Sequence, residues 1–92
     1  MIVRILGEGQ FDVAEGDLAG LNALDAVVER AVEAGDVESF TGALVALLAG
    51  VRSVGIPHDV DSLDESDLIL PPADASLDEV RELLDDDGLI PG

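Results

Sequence analysis

The chain has 92 residues, of which 21 are acidic and only four are basic, so its formal net charge is -17. This length predicts one domain, and the absence of cysteine excludes disulfides and thiolate chemistry. Because the negative charge is dispersed along the chain, direct binding to nucleic acid or to anionic lipid head groups is not expected.

The first predicted element is a β-hairpin. Residues 2–6 (IVRIL) are a short run rich in β-branched residues, and residues 10–13 form a second extended run after Gly7, Glu8 and Gly9. A phosphate-binding loop is the alternative for the two glycines. Such a loop leads into a helix, however, and Glu8 would repel phosphate, so the segment is predicted to be a hairpin turn.

Two helices follow, and they are predicted to lie antiparallel. Apolar residues recur at helical spacing over residues 17–34, with Asp17 as the expected N-cap and Gly35 as the residue that ends the helix. Asp36 can cap the second helix at once, and this helix continues until Gly55 stops it. So short a turn predicts an αα-hairpin.

The last third of the chain predicts one more strand and one more helix. Residues 56–67 are a polar, acidic connector, and residues 68–70 form a third short strand. Ser76 and Glu79 make a capping-box pattern ahead of a C-terminal helix. The predicted fold is a single α+β domain over residues 1–92, in which the β-hairpin and the third strand pack against the αα-hairpin and the C-terminal helix.

The second predicted helix has no charged residue between Ser39 and Val51, although 27% of the chain is charged. Its apolar stripe passes through Phe40 and Leu44, and at ~100° per residue the opposite face holds only small, uncharged side chains. These residues are Ser39, Gly42, Ala46, Ala49 and Ser53. A helix without a charged face is normally buried all round.

Two explanations are open for this uncharged face. Either the chain's own sheet or last helix covers it, or a helix of another polypeptide does. In the second case Gly42, Ala46 and Ala49 are the predicted contact residues. Leu89 and Ile90, which lie in an otherwise acidic tail, are the second choice.

No catalytic, cofactor or metal site is predicted, and an enzyme is the least supported class. An EF-hand starting at Asp59 would need glycine where Asp64 stands and glutamate where Leu70 stands. His58 is the only histidine, and no serine nucleophile lies at a recognisable spacing from it. The aspartates at 85–87 are expected to be screened by salt rather than to bind a cation.

Two explanations also compete for the charge: one is adaptation to a salt-rich cytoplasm, and the other is mimicry of nucleic acid or binding of a cationic partner. A mimic needs only a local acidic face, whereas here the acids are spread through the chain and lysine is absent throughout. Self-repulsion destabilises a small body of this charge, and at ~1 M salt the Debye length falls to ~3 Å. Salt adaptation is therefore the favoured explanation.

We expect the free energy of unfolding to rise with KCl concentration, because screening removes repulsion among the carboxylates. Denaturation followed by circular dichroism across a KCl series measures this directly. A stability that does not change with KCl would contradict salt adaptation.

The two ends and the middle of the chain together resemble a known family. MIVRILGEGQF opens the chain, DLILPPADASLDEVRELLDDDGLIPG closes it, and LNALD and AVEAGD lie between them in a helical hairpin rich in alanine and leucine. In this order and spacing they resemble the PspA-associated proteins, the PspAA family of actinobacteria and haloarchaea, over nearly the whole chain. No catalytic or ligand-binding residue is carried over from the resemblance.

The resemblance implies a partner of PspA, the coiled-coil membrane-stress protein that assembles on bilayers. The expected function is a non-enzymatic adaptor in envelope stress. The expected location is the cytoplasm, with membrane association only through the partner. Two alternatives remain: a homo-oligomeric structural protein that uses the same helix face on itself, and an acidic decoy for a basic or nucleic-acid-binding protein.

Overall fold

A computed structural model describes residues 1–57 and 67–83, apart from the side chain of Leu83. The strands are β1 (Ile2–Ile5), β2 (Gly9–Asp12), β3 (Ile56–Pro57) and β4 (Leu68–Leu70), and the helices are α1 (Leu18–Ala34), α2 (Val37–Val54) and α3 (Leu77–Leu83). The predicted α+β class is confirmed, with its hairpin, its strand at 68–70, its αα-hairpin and its C-terminal helix.

The strands form one mixed sheet in the order β3-β2-β1-β4. β1 pairs antiparallel with β2 and parallel with β4, so that Val3 lies opposite both Phe11 and Leu68. The turn between β1 and β2 needs glycine, because Gly7 has a φ of 87° and Gly9 a φ of 116°. The predicted hairpin turn is confirmed.

The sheet has a fourth strand that the sequence did not predict. β3 lies within the segment interpreted as a connector, and it pairs antiparallel with β2 through Phe11 opposite Pro57. Two residues, one of them proline, are too few to show an alternating pattern. Proline cannot donate a hydrogen bond to the ladder, so within sheets it occurs at edge strands such as this one. This strand therefore depends on the position of β2 and not on local propensity.

Helix α1 ends as predicted but begins differently. Gly35 adopts the left-handed conformation at φ 69°, and its N–H donates to the Val32 carbonyl over 3.1 Å. Asp17 makes no side-chain cap, because it lies in a 3₁₀ turn at residues 15–17 with helical backbone angles. Asp17 is thus the residue that precedes α1, as predicted, but its side chain does not cap the helix.

Helix α2 begins at the predicted cap. Oδ1 of Asp36 accepts a hydrogen bond from the Ser39 N–H at 3.2 Å, and Oδ2 accepts one from the Ser39 hydroxyl at 2.7 Å. The hydroxyl, and then the backbone N–H, lower the pKa of the Asp36 carboxyl below its ordinary value. The cap is thus strongest when the carboxyl is ionised.

We expect Asp36→Ala to lower the thermal midpoint by a few degrees at neutral pH, because the cap is lost. Asp36→Asn should lower the midpoint less, because asparagine also caps helices. Unlike aspartate, asparagine carries no charge at any pH. A lowered folded-state pKa stabilises the protein above the unfolded value of about 3.9, and this contribution is lost as the pH falls through the folded value. The gap between wild type and Asp36→Asn should therefore close in acid. Equal midpoints for all three proteins at pH 7 would contradict the cap.

The core lies between the sheet and the helix pair. Buried side chains of the strands, including Ile5 and Leu70, form one cluster with the apolar side of α2, whose fully buried residues are Phe40, Leu44, Leu47, Leu48 and Val51. α3 packs with Val80 buried in the same cluster. Ser76 caps α3 as predicted, since its hydroxyl accepts a hydrogen bond from the Glu79 N–H at 3.1 Å.

Among the helices of the described residues, α2 is long and apolar enough to cross a membrane, judged by length and composition. Its mean hydropathy is 1.4 over 18 residues. Core helices of soluble proteins meet the same criterion. The buried residues of α2 belong to the core cluster, and the helix packs chiefly against α1.

Candidate interaction surface

The uncharged face of α2 is exposed along its whole length. We call it the uncharged strip, and it consists of Ser39, Gly42, Ala46, Ala49 and Ser53, each of which is exposed. A Cβ atom placed on Gly42 would meet no other atom within 4 Å. Neither the sheet nor α3 covers the strip, so the first of the two explanations for this face is wrong. Contact with a partner stays a prediction.

The position of the strip follows from the packing of α2. The buried residues of α2 turn toward the core, and at ~100° per residue Gly42 and Ala49 lie opposite them. Three valines of α2 are exposed as well: Val37, Val45 and Val54. Single exposed apolar side chains are common on protein surfaces, so the strip itself, and not these valines, is the candidate contact surface.

Helices α1 and α2 approach closely near the end of the strip. A Cβ atom on Gly50 would lie 2.9 Å from Cδ1 of Leu24 and 3.2 Å from Cδ2 of Leu21. Only a residue without a side chain fits there unless the two leucines move. Gly50 is therefore the contact point that holds the start of α1 against the end of α2.

A groove of about 320 Å³ opens beside this contact, and we call it the α1–α2 groove. Its lining includes Leu21, Leu24 and Gly50, together with Asp17, Gly20 and Ser53. Sequence reasoning missed the groove, because its two sides come from different helices. Single glycines inside two helical patterns were the available signal.

An ion pair ties the hairpin turn to the last turn of α2. Nε of Arg52 donates to Oε1 of Glu8 over 2.6 Å, and Nη2 donates to Oε2. Through these hydrogen bonds the guanidinium lowers the pKa of Glu8, and the carboxylate raises the pKa of Arg52. The pair is partly exposed, so it orients the turn more than it stabilises the fold.

Of the acidic connector predicted at residues 56–67, the structure describes Ile56, Pro57 and Asp67. Asp67 binds the backbone of Ile2 twice: its Oδ2 accepts from the Ile2 N–H at 2.8 Å, and its N–H donates to the Ile2 carbonyl at 2.8 Å. Asp67 thus holds β4 against β1. Outside the described residues lie His58, Asp59, Asp61, Asp64, Glu65, the aspartates at 85–87, Leu89 and Ile90.

Within residues 1–57 and 67–83, no three histidine or acidic side chains come together as a metal site would need.

Asp25 of α1 is buried, with 3% of its surface exposed. No buried side-chain polar atom in these ranges lacks a hydrogen-bond partner. Asp25 shares a face with Leu21 and Val28, and sequence reasoning did not single it out.

Comparison with known proteins yields one match. The family model described as PspA-Associated protein, PspAA, matches residues 1–92, the whole chain. No curated protein and no solved structure matches significantly.

Proposed function

Because the chain belongs to the PspA-associated family, PspAA, we propose that it is a non-enzymatic adaptor that binds a PspA-like coiled-coil protein in the response to envelope stress. The family name links the chain to PspA in an accessory role. Binding, the coiled-coil partner and the stress response are our proposal. The expected location is the cytoplasm, with the membrane reached through the partner.

The exposure of the uncharged strip is the observation that carries the proposal. A surface that is neutral on a body of net charge -17 can be covered by an apolar helix without burying an unpaired charge. Small side chains let two helix backbones approach closely, at the short end of the usual 8–10 Å between axes. Gly42, Ala46 and Ala49 are the proposed contacts, and recognition would follow the helix-in-groove mode.

Sedimentation of the purified protein with a PspA-like protein from the same organism, in molar KCl, tests the proposal. We expect the two proteins to sediment as one complex, and the protein alone to sediment as a monomer. Independent sedimentation of the two at every concentration would contradict the proposed partner.

The same strip supports one alternative, a homo-oligomer that buries the strip against a second copy. Two bodies of net charge -17 repel each other at low salt, so self-association should need high salt. A dimer of the isolated protein in molar KCl, with no binding to the PspA-like protein, would favour this alternative.

A further inference from the structure

We propose that the α1–α2 groove receives one large aliphatic side chain of the partner helix, and that a lysine or arginine one turn further along that helix contacts Asp17 at the groove rim. This inference rests on the proposed function and extends it by naming the anchor and its charge. Interface energy commonly concentrates in a few side chains that fill pockets.

The groove has the shape for such an anchor. Leu21 and Leu24 supply an apolar lining, and Gly50, which packs directly against them, adds no side chain of its own. A Cβ atom on Gly20 would meet nothing within 4 Å, so this side of the groove is open. Its volume of about 320 Å³ is at the low end of ligand sites, which run from about 300 to 1,000 Å³.

The groove also lies on the line of the uncharged strip. Ser53 belongs to both, and Gly50 follows Ala46 by one helical turn. From Gly42 to Ser53 the strip covers about 16 Å, or roughly three turns of helix. A partner helix that runs along the strip thus brings one residue over the groove. The partner is expected to carry three turns of small or apolar residues with the large anchor at one end.

The charge at the groove rim determines which type of residue is favoured next to the aliphatic anchor on the partner helix. Asp17 is exposed at the rim, and Glu15 lies two residues earlier in the same 3₁₀ turn. The carbonyl end of α2 reaches the groove at Ser53, and helix C-termini favour cations. Arg52, the basic residue in the last turn of α2, is bound to Glu8. The rim therefore favours a basic side chain over an acidic one.

The same charges argue against a second copy of this chain as the occupant. Each copy carries a net charge of -17 and no lysine, so its approach to the acidic rim is opposed by long-range repulsion. A helix with basic residues beside its apolar stripe is attracted instead. Complementary charge therefore favours a basic partner helix over a second copy of this chain.

Three synthetic helical peptides test the inference. The first has a three-turn alanine stripe, a leucine anchor and a lysine four residues beyond; the second replaces the anchor by alanine; the third replaces the lysine by glutamate. Titrations by NMR use the lowest KCl concentration at which the protein is folded, because salt screens the rim. We expect the first peptide to shift the methyl signals of Leu21 and Leu24 and the amide of Gly50. The alanine peptide should bind at least about tenfold more weakly, and the glutamate peptide should show a smaller but measurable loss of affinity.

Two variants locate the binding. Gly20→Leu fills the groove and should lower the affinity for the first peptide at least about tenfold. Ala23→Leu, at an exposed position of α1, should leave this affinity unchanged. Asp17→Asn removes only the charge, and it should reduce the preference for lysine over glutamate. Absence of peptide binding, or shifts that avoid Leu21 and Leu24, would overturn the groove as a site. Equal affinity for the lysine and glutamate peptides would overturn the role of Asp17.

The groove and the proposed function fail in different ways. If the PspA-like protein binds wild type and Gly20→Leu equally, the groove is not the anchor site and the adaptor function stands. If it does not bind wild type while the first peptide occupies the groove, the adaptor function fails and the groove stands. The same methyl shifts on raising the concentration of protein alone would identify a second copy as the occupant and overturn the basic partner.

Discussion

Replacement of Ala46 by arginine is expected to abolish binding of the PspA-like protein while the fold is kept. Ala46 is exposed in the middle of the uncharged strip, so a partner helix would have to bury the new guanidinium without a counter-charge. Leaving a buried charge unpaired costs about 3–5 kcal/mol, which corresponds to a loss of affinity of more than about 100-fold. Sedimentation measures the binding, and circular dichroism measures the fold.

Ala23→Arg is the matched control for this substitution. Ala23 is an exposed alanine in the interior of α1 and lies outside the strip, so the same change in size and charge should leave binding intact. Normal binding by Ala46→Arg would exclude the strip as the contact surface. Unfolding of Ala46→Arg would contradict the exposure of the strip.

Replacement of Phe40 by alanine, on the buried side of the same helix, should instead lower the free energy of unfolding. Phe40 is 1% exposed, and truncation of a buried phenylalanine costs about 3–5 kcal/mol. A domain of 92 residues has a free energy of unfolding of about 5–14 kcal/mol, at roughly 0.05–0.15 kcal/mol per residue. Phe40→Ala should therefore remove a large part of the stability, measured by denaturant titration at a fixed KCl concentration.

Val45→Ala is the control for this core substitution. Val45 lies on α2 as well but is 46% exposed, and its truncation removes little buried area, so a cost below about 1 kcal/mol is expected. Similar midpoints for Phe40→Ala and Val45→Ala would contradict the assignment of Phe40 to the core.

The local elements were predictable because short-range patterns determine them. The Gly7 and Gly9 turn needs positive φ values, and the Asp36 cap needs only a hydrogen bond to Ser39. Asp17 precedes α1 as predicted, but an acidic residue at this position is compatible either with a side-chain cap or with a preceding 3₁₀ turn, and the structure has the turn. The residue type alone does not tell the two apart.

The pairing of the strands was not predictable in the same way. β3 is a strand only because β2 lies beside it, and the parallel pairing of β1 with β4 joins residues more than sixty positions apart, as in the hydrogen bond from Ile2 to Asp67. Contacts of this kind depend on where the helices between them fold. No local pattern encodes that.

For the candidate site too, one part was predictable from the sequence and another part was not. The uncharged strip was predicted from the sequence by itself, because a helix repeats every 3.6 residues and its polar and apolar faces follow from residue order. The exposure of the strip and the existence of the α1–α2 groove were decided only by the tertiary structure. Both depend on which face of α2 lies in the core and on how closely Gly50 lets α1 approach, and packing between distant segments determines these distances.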